Sequence, residues 1–293
     1  MSKIAIIFLL AVSVFPQTKL VSIEGHRGAR GHLPENTIAS FIKAVELGAD
    51  TLELDVVISK DRKVVVSHDS WFSYFISTAP NGDKITRENE KKHNLFLMDY
   101  AEIRKYDVGI RGNSLFPDQV PQKAYKPLLS EVFLALDKLA KSKKLPPIKY
   151  NIEIKSGSDG DGIYHPAPPE FTSLVMAEVV RHRMMARSKL QSFDVRPLQE
   201  IRKKWPKVQI ALLVGNMDGI EKSVEKLGFI PETYSPHFSL VDQTTVDFCR
   251  EKKIKLVPWT VNEIADLEKM KTFPIDGIIT DFPDRAVKVF RGK

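Results

Sequence analysis

The stretch TIASFIKAVELGADTLELDV, residues Thr37–Val56, contains the unit from which the fold can be predicted. Apolar residues recur three and four positions apart over Thr37–Leu47, which predicts an amphipathic helix. Gly48 is the residue type that commonly follows the end of a helix. Thr51–Val56 then alternates apolar and polar side chains, as a strand does. The stretch therefore predicts a helix that leads through a tight turn into a strand.

Strands and helices of this kind alternate along most of the chain. We predict strands at Val21–Gly25, Thr51–Val56, Ile148–Ile154, Leu190–Phe193, Val208–Val214, Glu232–Ser235, Ile254–Trp259 and Asp276–Thr280. We predict helices at Thr37–Leu47, Leu128–Ala140, Glu170–Met185, Arg196–Lys204, Gly219–Leu227, Gln243–Glu251, Glu263–Met270 and Asp284–Phe290. This repetition favours an α/β fold, a closed (β/α)8 TIM barrel, over an open doubly wound sheet. No Gly-x-Gly-x-x-Gly motif follows the first strand, which argues against dinucleotide binding.

One connection is too long for a simple barrel loop. Between Asp69 and Pro127 the strand–helix alternation is lost, apart from a short helix predicted at Met98–Tyr106. Lys63–Ser67, just before it, has the pattern of a strand and is interpreted as an extension of the second unit. Long connections inside compact domains are usually functional or form small subdomains. We therefore predict one TIM-barrel domain over residues 19–293, with an insertion at about residues 69–126 after the second strand.

The N-terminus has the features of an export signal. Met1–Lys3 is short and basic, Ile4–Phe15 is apolar without a charge, and Pro16 follows. The apolar run is too short to cross a bilayer of about 30 Å. A basic start and a short apolar run are typical of a secretory signal peptide. Residues 1–18 are therefore predicted to be a signal peptide, the protein is predicted to be periplasmic or secreted, and no stable membrane span is expected in the mature chain.

The charge of the chain excludes some classes of partner. The 293 residues include 44 basic and 37 acidic side chains, a net charge of +7. The excess is scattered, and the sequence contains neither a long basic run nor zinc-finger spacing, so nucleic-acid binding is not expected. A mild positive charge is compatible with an anionic small-molecule substrate. The single cysteine, Cys249, lies in a predicted helix and is interpreted as a small apolar core residue.

Two predicted strands carry charged residues in the same phase. Glu53 and Asp55 share one face of their strand, and Asn151, Glu153 and Lys155 share one face of the next predicted strand. If these faces point into the barrel, the carboxylates repel one another and need a cation between them. Oxygen ligands favour Mg2+ or Ca2+, so we predict one divalent cation held by Glu53, Asp55 and Glu153. The alternative is that Glu53 or Glu153 forms a structural salt bridge with Lys155.

Two histidines follow strands at the end where barrel active sites lie. His26 comes directly after the first predicted strand, and His68 follows Lys63–Ser67. Both should lie on the C-terminal face of the barrel. Two imidazoles beside a metal suit general acid–base catalysis, in which one removes a proton and the other donates one. Arg27, next to His26, offers a planar guanidinium for a phosphate or carboxylate. Asn36 is interpreted as the N-cap of the helix that follows it.

Several short motifs, in this order, resemble the glycerophosphodiester phosphodiesterase family. They are Gly25-His26-Arg27-Gly28, Pro34-Glu35-Asn36-Thr37, Gly48-Ala49-Asp50, Glu53-Leu54-Asp55-Val56, Val66-Ser67-His68-Asp69, Lys126-Pro127-Leu128-Leu129, Asn151-Ile152-Glu153-Ile154-Lys155, Gln191-Ser192-Phe193-Asp194, Pro258-Trp259-Thr260-Val261-Asn262 and Asp276-Gly277-Ile278-Ile279-Thr280-Asp281. The resemblance covers nearly the whole chain after the predicted signal peptide. It implies a TIM barrel with a small insertion after the second strand. It also implies metal-dependent hydrolysis of a glycerophosphodiester to glycerol 3-phosphate and an alcohol.

The resemblance also implies a role for each site residue. It gives His26 and His68 as the catalytic acid–base pair and Arg27 and Lys155 as the phosphate-binding pair. Phe193 and Trp259 are implied to form pocket walls. The metal ligands it implies are Glu53, Asp55 and Glu153.

Three other functions are compatible with parts of this pattern. A lysophospholipase D would use the same site and would need an apolar groove, for which Trp71, Phe72, Tyr74, Phe75 and Ile76 are candidates unless they form the insertion's own core. A TIM-barrel glycoside hydrolase would use two carboxylates but would leave both histidines without a role. A non-catalytic phosphate- or lipid-binding protein would be expected to have lost one of the site residues, and none is missing.

Overall fold

The computed structural model describes residues 20–292. The predicted signal peptide, residues 1–18, lies outside the described residues. Within the described range, no helix is both long enough and apolar enough to cross a bilayer.

The described residues form one barrel of parallel strands and one additional antiparallel strand. The strands are β1 (Ser22–Gly25), β2 (Thr51–Ile58), β3 (Val64–Val66), β4 (Lys149–Ile154), β5 (Ser188–Ser192), β6 (Gln209–Val214), β7 (Thr233–Pro236), β8 (Lys255–Leu256) and β9 (Gly277–Thr280). Their order is β8-β7-β6-β5-β4-β2-β1-β9, with every neighbouring pair parallel. Backbone hydrogen bonds from Asp276 to Leu256 (2.8 Å) and from Ile279 to Pro258 (2.9 Å) join the two ends. The predicted (β/α)8 TIM barrel is confirmed.

Helices cover the outside of the barrel. They are α1 (Ile38–Glu46), α3 (Leu129–Ser142), α4 (Pro168–Arg181), α5 (Val195–Lys204), α6 (Ile220–Leu227), α7 (Gln243–Lys252), α8 (Ile264–Lys271) and α9 (Pro283–Arg291), while the short helix α2 (Tyr100–Ile103) lies in the segment between β3 and α3. In α1, Phe41 and Ala44 are fully buried against the strands, while the C-cap is Leu47 and Gly48 follows with a φ of 90°. The main core therefore lies between the helices and the outward faces of the strands, which leaves the inward faces free for polar side chains.

The segment after β2 turns back instead of extending the strand. Val64–Val66 pairs antiparallel with the end of β2, in the register Val56 to Val66 and Ile58 to Val64. Arg62, in the turn between them, has a φ of 60°, the left-handed conformation that tight turns require. The strand pattern predicted at Lys63–Ser67 is therefore present, and this segment extends the second unit by folding back on β2. The reversal matters for the site because Ser67 N donates to Asp55 O at 3.0 Å, which brings the next residue, His68, back to the barrel mouth.

Residues between β3 and α3 pack around a second apolar cluster. It contains nine buried residues: Val57, Val65, Phe72, Ile76, Ile85, Leu95, Tyr100, Ile103 and Val108. The helix predicted at Met98–Tyr106 is a single turn, α2, whose capping box is formed by Asp99 and Glu102. Val57 and Val65 belong to β2 and β3, so this cluster is attached to the barrel through the antiparallel hairpin.

Candidate active site

The charged faces of β2 and β4 meet inside the barrel. Asp55 is paired with Glu153 and Glu53 with Asn151, so the matching phases that the sequence indicates are also adjacent in register. One carboxylate oxygen from each of Glu53, Asp55 and Glu153 lies within 4.8 Å of the others. All three side chains are buried. The structure therefore brings together the three predicted metal ligands.

Hydrogen bonds hold each carboxylate in place but leave one fully buried carboxylate oxygen without a donor. Glu53 accepts from the backbone of Arg27 (2.9 Å) and from the Gln191 amide (2.9 Å). Glu153 accepts from Lys155 Nζ at 2.7 Å. Asp55 Oδ1 has no hydrogen-bond donor among the described residues, and Lys155 Nζ is 3.8 Å from it.

These contacts favour a cation over a simple salt bridge. A buried carboxylate oxygen without a partner is costly. Clustered oxygens with unused lone pairs are suitable ligands for Mg2+ or Ca2+. The ion pair between Glu153 and Lys155 that the sequence leaves as an alternative does form, but it does not satisfy Asp55. The carboxylate oxygens of Glu53, Asp55 and Glu153 are therefore suitable ligands for one divalent cation.

Burial and the neighbouring charges shift the pKa values of the three carboxylates in different directions. Burial, together with the charges of Asp55 and Glu153, raises the pKa of Glu53 well above its usual value. Burial also raises the pKa of Glu153, although Lys155 opposes the shift. Burial alone would raise the pKa of Asp55 as well, but the positive charges around it, that of Arg27 first, together with the hydrogen bond from Asn36 outweigh burial, and the pKa of Asp55 is lowered. Without a cation, Glu53 is therefore the carboxylate that retains a proton most readily.

Cation binding to this cluster should release protons. Because the pKa of Glu53 is raised well above its usual value, a cation that requires its ionised form must displace the proton. The apparent affinity should therefore rise with pH until the pH exceeds this raised pKa, and then level off. Calorimetric titration with Ca2+ in buffers of different ionisation enthalpy measures the number of protons released. The same heat of binding in every buffer would contradict this expectation.

Asn36 supports the cluster instead of capping the helix. Thr37 is the N-cap of α1, since its hydroxyl accepts from Ser40 N at 3.2 Å. Asn36 is in the left-handed region with a φ of 56°. Its amide donates to Asp55 Oδ2 (2.8 Å), and its carbonyl oxygen accepts from Asp55 N (3.3 Å). The predicted capping role of Asn36 is wrong, because Thr37 can provide the cap and Asn36 is turned inward.

Asn36→Ala should weaken cation binding by about 10-fold to 100-fold, the usual effect of losing an outer hydrogen bond to a ligand. Asp55 would keep its position less well because both hydrogen bonds from Asn36 are lost. Isothermal titration with Ca2+ provides the measurement. Asn94→Ala is the matched control, since Asn94 is also a buried amide and bonds Ile163 O in another part of the molecule. Equal affinities for both variants would contradict the supporting role of Asn36.

His26 lies at the end of β1 beside the carboxylates. Its Nδ1 atom is 2.8 Å from Asp281 Oδ1, and its Nε2 atom is 4.0 Å from Glu53 Oε2. Burial lowers the pKa of His26 to about 4, although Asp281 acts in the opposite direction. The ring is therefore neutral near pH 7 and is able to accept a proton.

His68 lies across the barrel mouth and is more accessible. Its side chain is 32% exposed, and its Nδ1 atom is 3.0 Å from Asp69 Oδ1. His26 and His68 line the same cavity of about 180 Å3, together with Glu53 and Glu153. His68 also lines two neighbouring cavities. The two histidines thus lie where both can reach one molecule bound at the carboxylate cluster.

The two predicted phosphate-binding side chains line the same cavity. Arg27 Nη1 donates to Glu35 at 2.8 Å, and Arg27 Nε lies 3.3 Å from Asp55 Oδ2 without forming a hydrogen bond. Lys155 is paired with Glu153. The carboxylates therefore hold the positively charged side chains of Arg27 and Lys155 beside the space that an anionic group would occupy.

Two aromatic side chains form one wall of this cavity. The Phe193 and Trp259 rings meet edge to face with centroids 5.3 Å apart. Trp259 Nε1 donates to Ser235 O at 2.9 Å, which fixes the indole. Phe193 is 45% exposed although it is apolar. Both predicted wall residues are therefore present at the mouth.

Two residues that complete the site have no role that the sequence predicts. Gln191 bonds Glu53, and Asp281 bonds both His26 and Arg30. Gln191 could have been found from the signal that identified Glu53, because it is a polar residue within a buried strand. No local sequence pattern indicates the contact of His26 with Asp281, which joins positions 255 residues apart.

Comparisons with known proteins agree with this arrangement. Residues 26–285 match the model of the glycerophosphoryl diester phosphodiesterase family. A glycerophosphodiester phosphodiesterase from Caldanaerobacter subterraneus subsp. tengcongensis is 33% identical over 91% of this chain and 96% of its own length. A crystal structure from Silicibacter pomeroyi, named for the same activity, is 30% identical, covers 93% of each chain and superposes with a TM-score of 0.83. An Oleispira antarctica phosphodiesterase in complex with the product sn-glycerol-3-phosphate shares the fold at 20% identity, with a TM-score of 0.72 over 92% of this chain and 96% of that one.

Proposed function

The chain belongs to the glycerophosphoryl diester phosphodiesterase family and is a phosphodiesterase of that type, and from this premise we propose how it works. It hydrolyses a glycerophosphodiester to glycerol 3-phosphate and an alcohol. One divalent cation, Mg2+ or Ca2+, binds at Glu53, Asp55 and Glu153, and His26 and His68 transfer the protons. Membership of this family sets aside the glycoside hydrolase and the non-catalytic binding protein.

The observation that carries the proposal is the position of two imidazoles on one cavity with three buried carboxylates. His26, His68, Glu53 and Glu153 line this cavity, and Asp55 completes the carboxylate cluster beside it. A phosphodiester is anionic and would be repelled by unscreened carboxylates. A bound divalent cation supplies the positive charge that stabilises the phosphate oxygens during the reaction. An anionic substrate can bind here only if a cation neutralises the carboxylates. The unpaired Oδ1 atom of Asp55 supports the presence of such a cation.

The side chains of the protein bind and orient the phosphate and move two protons. Arg27 and Lys155 interact with the phosphate oxygens, where negative charge increases in the transition state. One histidine takes the proton of the attacking hydroxyl, which belongs to water or to the glycerol 2-position of the substrate. The other histidine donates a proton to the leaving oxygen. Phe193 and Trp259 form the wall of the cavity against which the glycerol or the alcohol group of the substrate packs.

The direct test is release of glycerol 3-phosphate from glycerophosphocholine by the purified enzyme. The proposal predicts equal amounts of glycerol 3-phosphate and choline. Release of phosphocholine with free glycerol would contradict it, because the other ester bond would then have been cleaved.

Hydrolysis of lysophospholipids is a second candidate at the same site. Trp71, Tyr74, Phe75 and Ile76 line a cavity of about 300 Å3 that begins at His68. Phe72, which the sequence groups with them, is instead fully buried in the second apolar cluster. Charged residues such as Glu35 and Glu90 line the rest of this cavity, so an acyl chain would lie along its apolar side, beside the reactive groups.

Phe75→Asp separates this second candidate from the first. If the acyl chain lies in the cavity, a charge there should lower kcat/KM for lysophosphatidylcholine by about 10-fold or more, since it would have to be buried against the chain. The value for glycerophosphocholine should change little. Equal effects on both substrates would show that the cavity does not bind the acyl chain.

We further propose that the enzyme is exported, on the basis of the basic and apolar pattern in residues 1–18. N-terminal sequencing of the protein recovered outside the cytoplasm should show that these residues have been removed. Recovery of the full-length chain from the cytoplasm alone would contradict this proposal.

A further inference from the structure

Behind His26, on the side away from the carboxylate cluster, lies a buried polar network to which the proposed function gives no role. Its centre is Asp281, which directly follows β9 and is completely buried. Asn262, Arg30 and His26 all contact its carboxylate. These partners determine whether Asp281 accepts or donates in each hydrogen bond. Its role in the bond with His26 in turn determines which nitrogen of His26 carries a proton.

The orientation of Asn262 is fixed by the backbone. Its Oδ1 atom accepts from Asp281 N at 2.9 Å and from the Thr280 hydroxyl at 3.3 Å. A backbone N–H can only donate, so this side of the Asn262 amide must be the oxygen. The amide nitrogen therefore points to the carboxylate, where it donates to Asp281 Oδ2 at 2.7 Å.

Arg30 provides further donors to the same carboxylate. Arg30 Nε donates to Asp281 Oδ1 at 2.8 Å, and Nη2 donates to Oδ2 at 3.0 Å. A guanidinium group has no acceptor. Both carboxylate oxygens are therefore occupied as acceptors, and Asp281 is ionised without a proton to donate.

His26 must then be the donor in its contact with Asp281. Its Nδ1 atom lies 2.8 Å from Oδ1, and two acceptors cannot share a hydrogen bond. Nδ1 therefore carries the hydrogen. In the neutral ring Nε2 has a free lone pair, and this atom is on the side of Glu53 and of the cavity that His26 lines.

We propose that Asp281 is a positioning residue that fixes His26 in the Nδ1–H tautomer and thereby makes His26 the proton acceptor of the reaction. The inference rests on the proposed function. The proton of the attacking hydroxyl passes to His26 Nε2 as its oxygen bonds to phosphorus. The bond from phosphorus to the leaving oxygen breaks, and that oxygen takes a proton from His68. Proton exchange with water then returns both histidines to the forms in which they started.

The first measurement uses the unmodified enzyme. Nitrogen NMR of protein labelled with 15N-histidine at neutral pH distinguishes a protonated ring nitrogen from an unprotonated one. We expect a protonated Nδ1 and an unprotonated Nε2 for His26. The opposite pattern would overturn the proposal, whatever activity is measured.

Asp281→Asn gives the kinetic test. An amide can donate to Nδ1 and favour the other tautomer, so kcat should fall by about 10²-fold to 10⁴-fold, by the reasoning that applies to the carboxylate of a catalytic triad. KM and the Ca2+ affinity should stay within about threefold, since neither depends on the tautomer. The NMR signal of His26 should move to the Nε2–H pattern. A retained kcat, or a loss of kcat accompanied by an equal loss of Ca2+ affinity, would overturn the positioning role.

Asp284→Asn is the matched control. Asp284 also pairs with a histidine, since its Oδ1 atom is 2.7 Å from His32 Nε2, but it does not contact His26. This variant should change the His32 signal and leave both kcat and the His26 tautomer unaltered. If Asp281→Asn does not fold, Asn262→Ala replaces it, because it removes one donor from Asp281 and should lower kcat by a smaller factor of about 10. An unchanged kcat in that variant would contradict the proposal that Asp281 and its hydrogen-bond donors position His26.

The proposed function can fail independently of this inference. If the wild-type enzyme released no glycerol 3-phosphate from glycerophosphodiesters but His26 had the Nδ1–H tautomer, the function would be wrong and the tautomer assignment right. If the enzyme were active and His26 had the Nε2–H tautomer, the function would stand and the inference would fall.

Discussion

His26→Ala and His68→Ala should each lower kcat for glycerophosphocholine by about 10²-fold or more, while the protein remains folded. Each variant removes one of the two groups that can move a proton at the cavity beside the carboxylate cluster. KM should change less, because neither imidazole is expected to hold the phosphate. The measurement is steady-state release of glycerol 3-phosphate, with thermal unfolding recorded for each variant.

His182→Ala is the control for these variants. His182 also pairs with a carboxylate, that of Glu178, but it lies at the C-terminal end of α4. Its replacement can lower stability, because the ring packs near Phe133, but it should leave kcat within about twofold, since His182 does not line the cavity at the carboxylate cluster. A near-normal kcat for His26→Ala or for His68→Ala would remove that residue from the acid–base pair.

Glu153→Gln should weaken cation binding by at least about 10²-fold, more than the loss of an outer hydrogen bond usually costs. The substitution keeps the shape of the side chain but removes one of three clustered negative charges. It also removes the negative charge that pairs with Lys155, whose Nζ atom is 2.7 Å from Glu153, and so leaves the positive charge of Lys155 unbalanced beside the site. Both changes act against a bound divalent cation. Calorimetric titration with Mg2+ and Ca2+ provides the measurement.

Glu131→Gln is the matched control for this substitution. Glu131 is a partly buried carboxylate that bonds Tyr100 and Arg104 away from the cluster. This variant can lose stability but should bind cations as the wild type does. Equal cation titrations for Glu153→Gln and the wild type would contradict the assignment of Glu153 as a ligand.

The barrel could be predicted from sequence because its signals are local. Helical and strand periodicity, together with the glycine after α1, are properties of short stretches such as Thr37–Val56. The direction of β3 could not be predicted in this way. The run Val64–Val66 has the same pattern whether it continues β2 or folds back on it, and the reversal is seen only in the turn at Arg62 and in the antiparallel pairing with β2.

The same distinction applies to the site. The convergence of Glu53, Asp55 and Glu153 follows from strand phase, which is local, and from the adjacency of two successive barrel strands. The role of Asn36 could not be found because residues of its type commonly cap helices, and only the tertiary structure turns it toward Asp55. Asp281 reaches His26 because β9 pairs with β1, a consequence of barrel closure that no short motif encodes.

In the mechanism proposed here, one divalent cation neutralises the carboxylates and makes the site catalytic. The most direct measurement is the activity of folded enzyme that has been stripped of metal by a chelator, with its metal content determined by elemental analysis, before and after Mg2+ or Ca2+ is added singly. We expect release of glycerol 3-phosphate to fall to background in the stripped enzyme and to return with about one bound ion per chain. Full activity in enzyme shown to contain no divalent ion would contradict the claim.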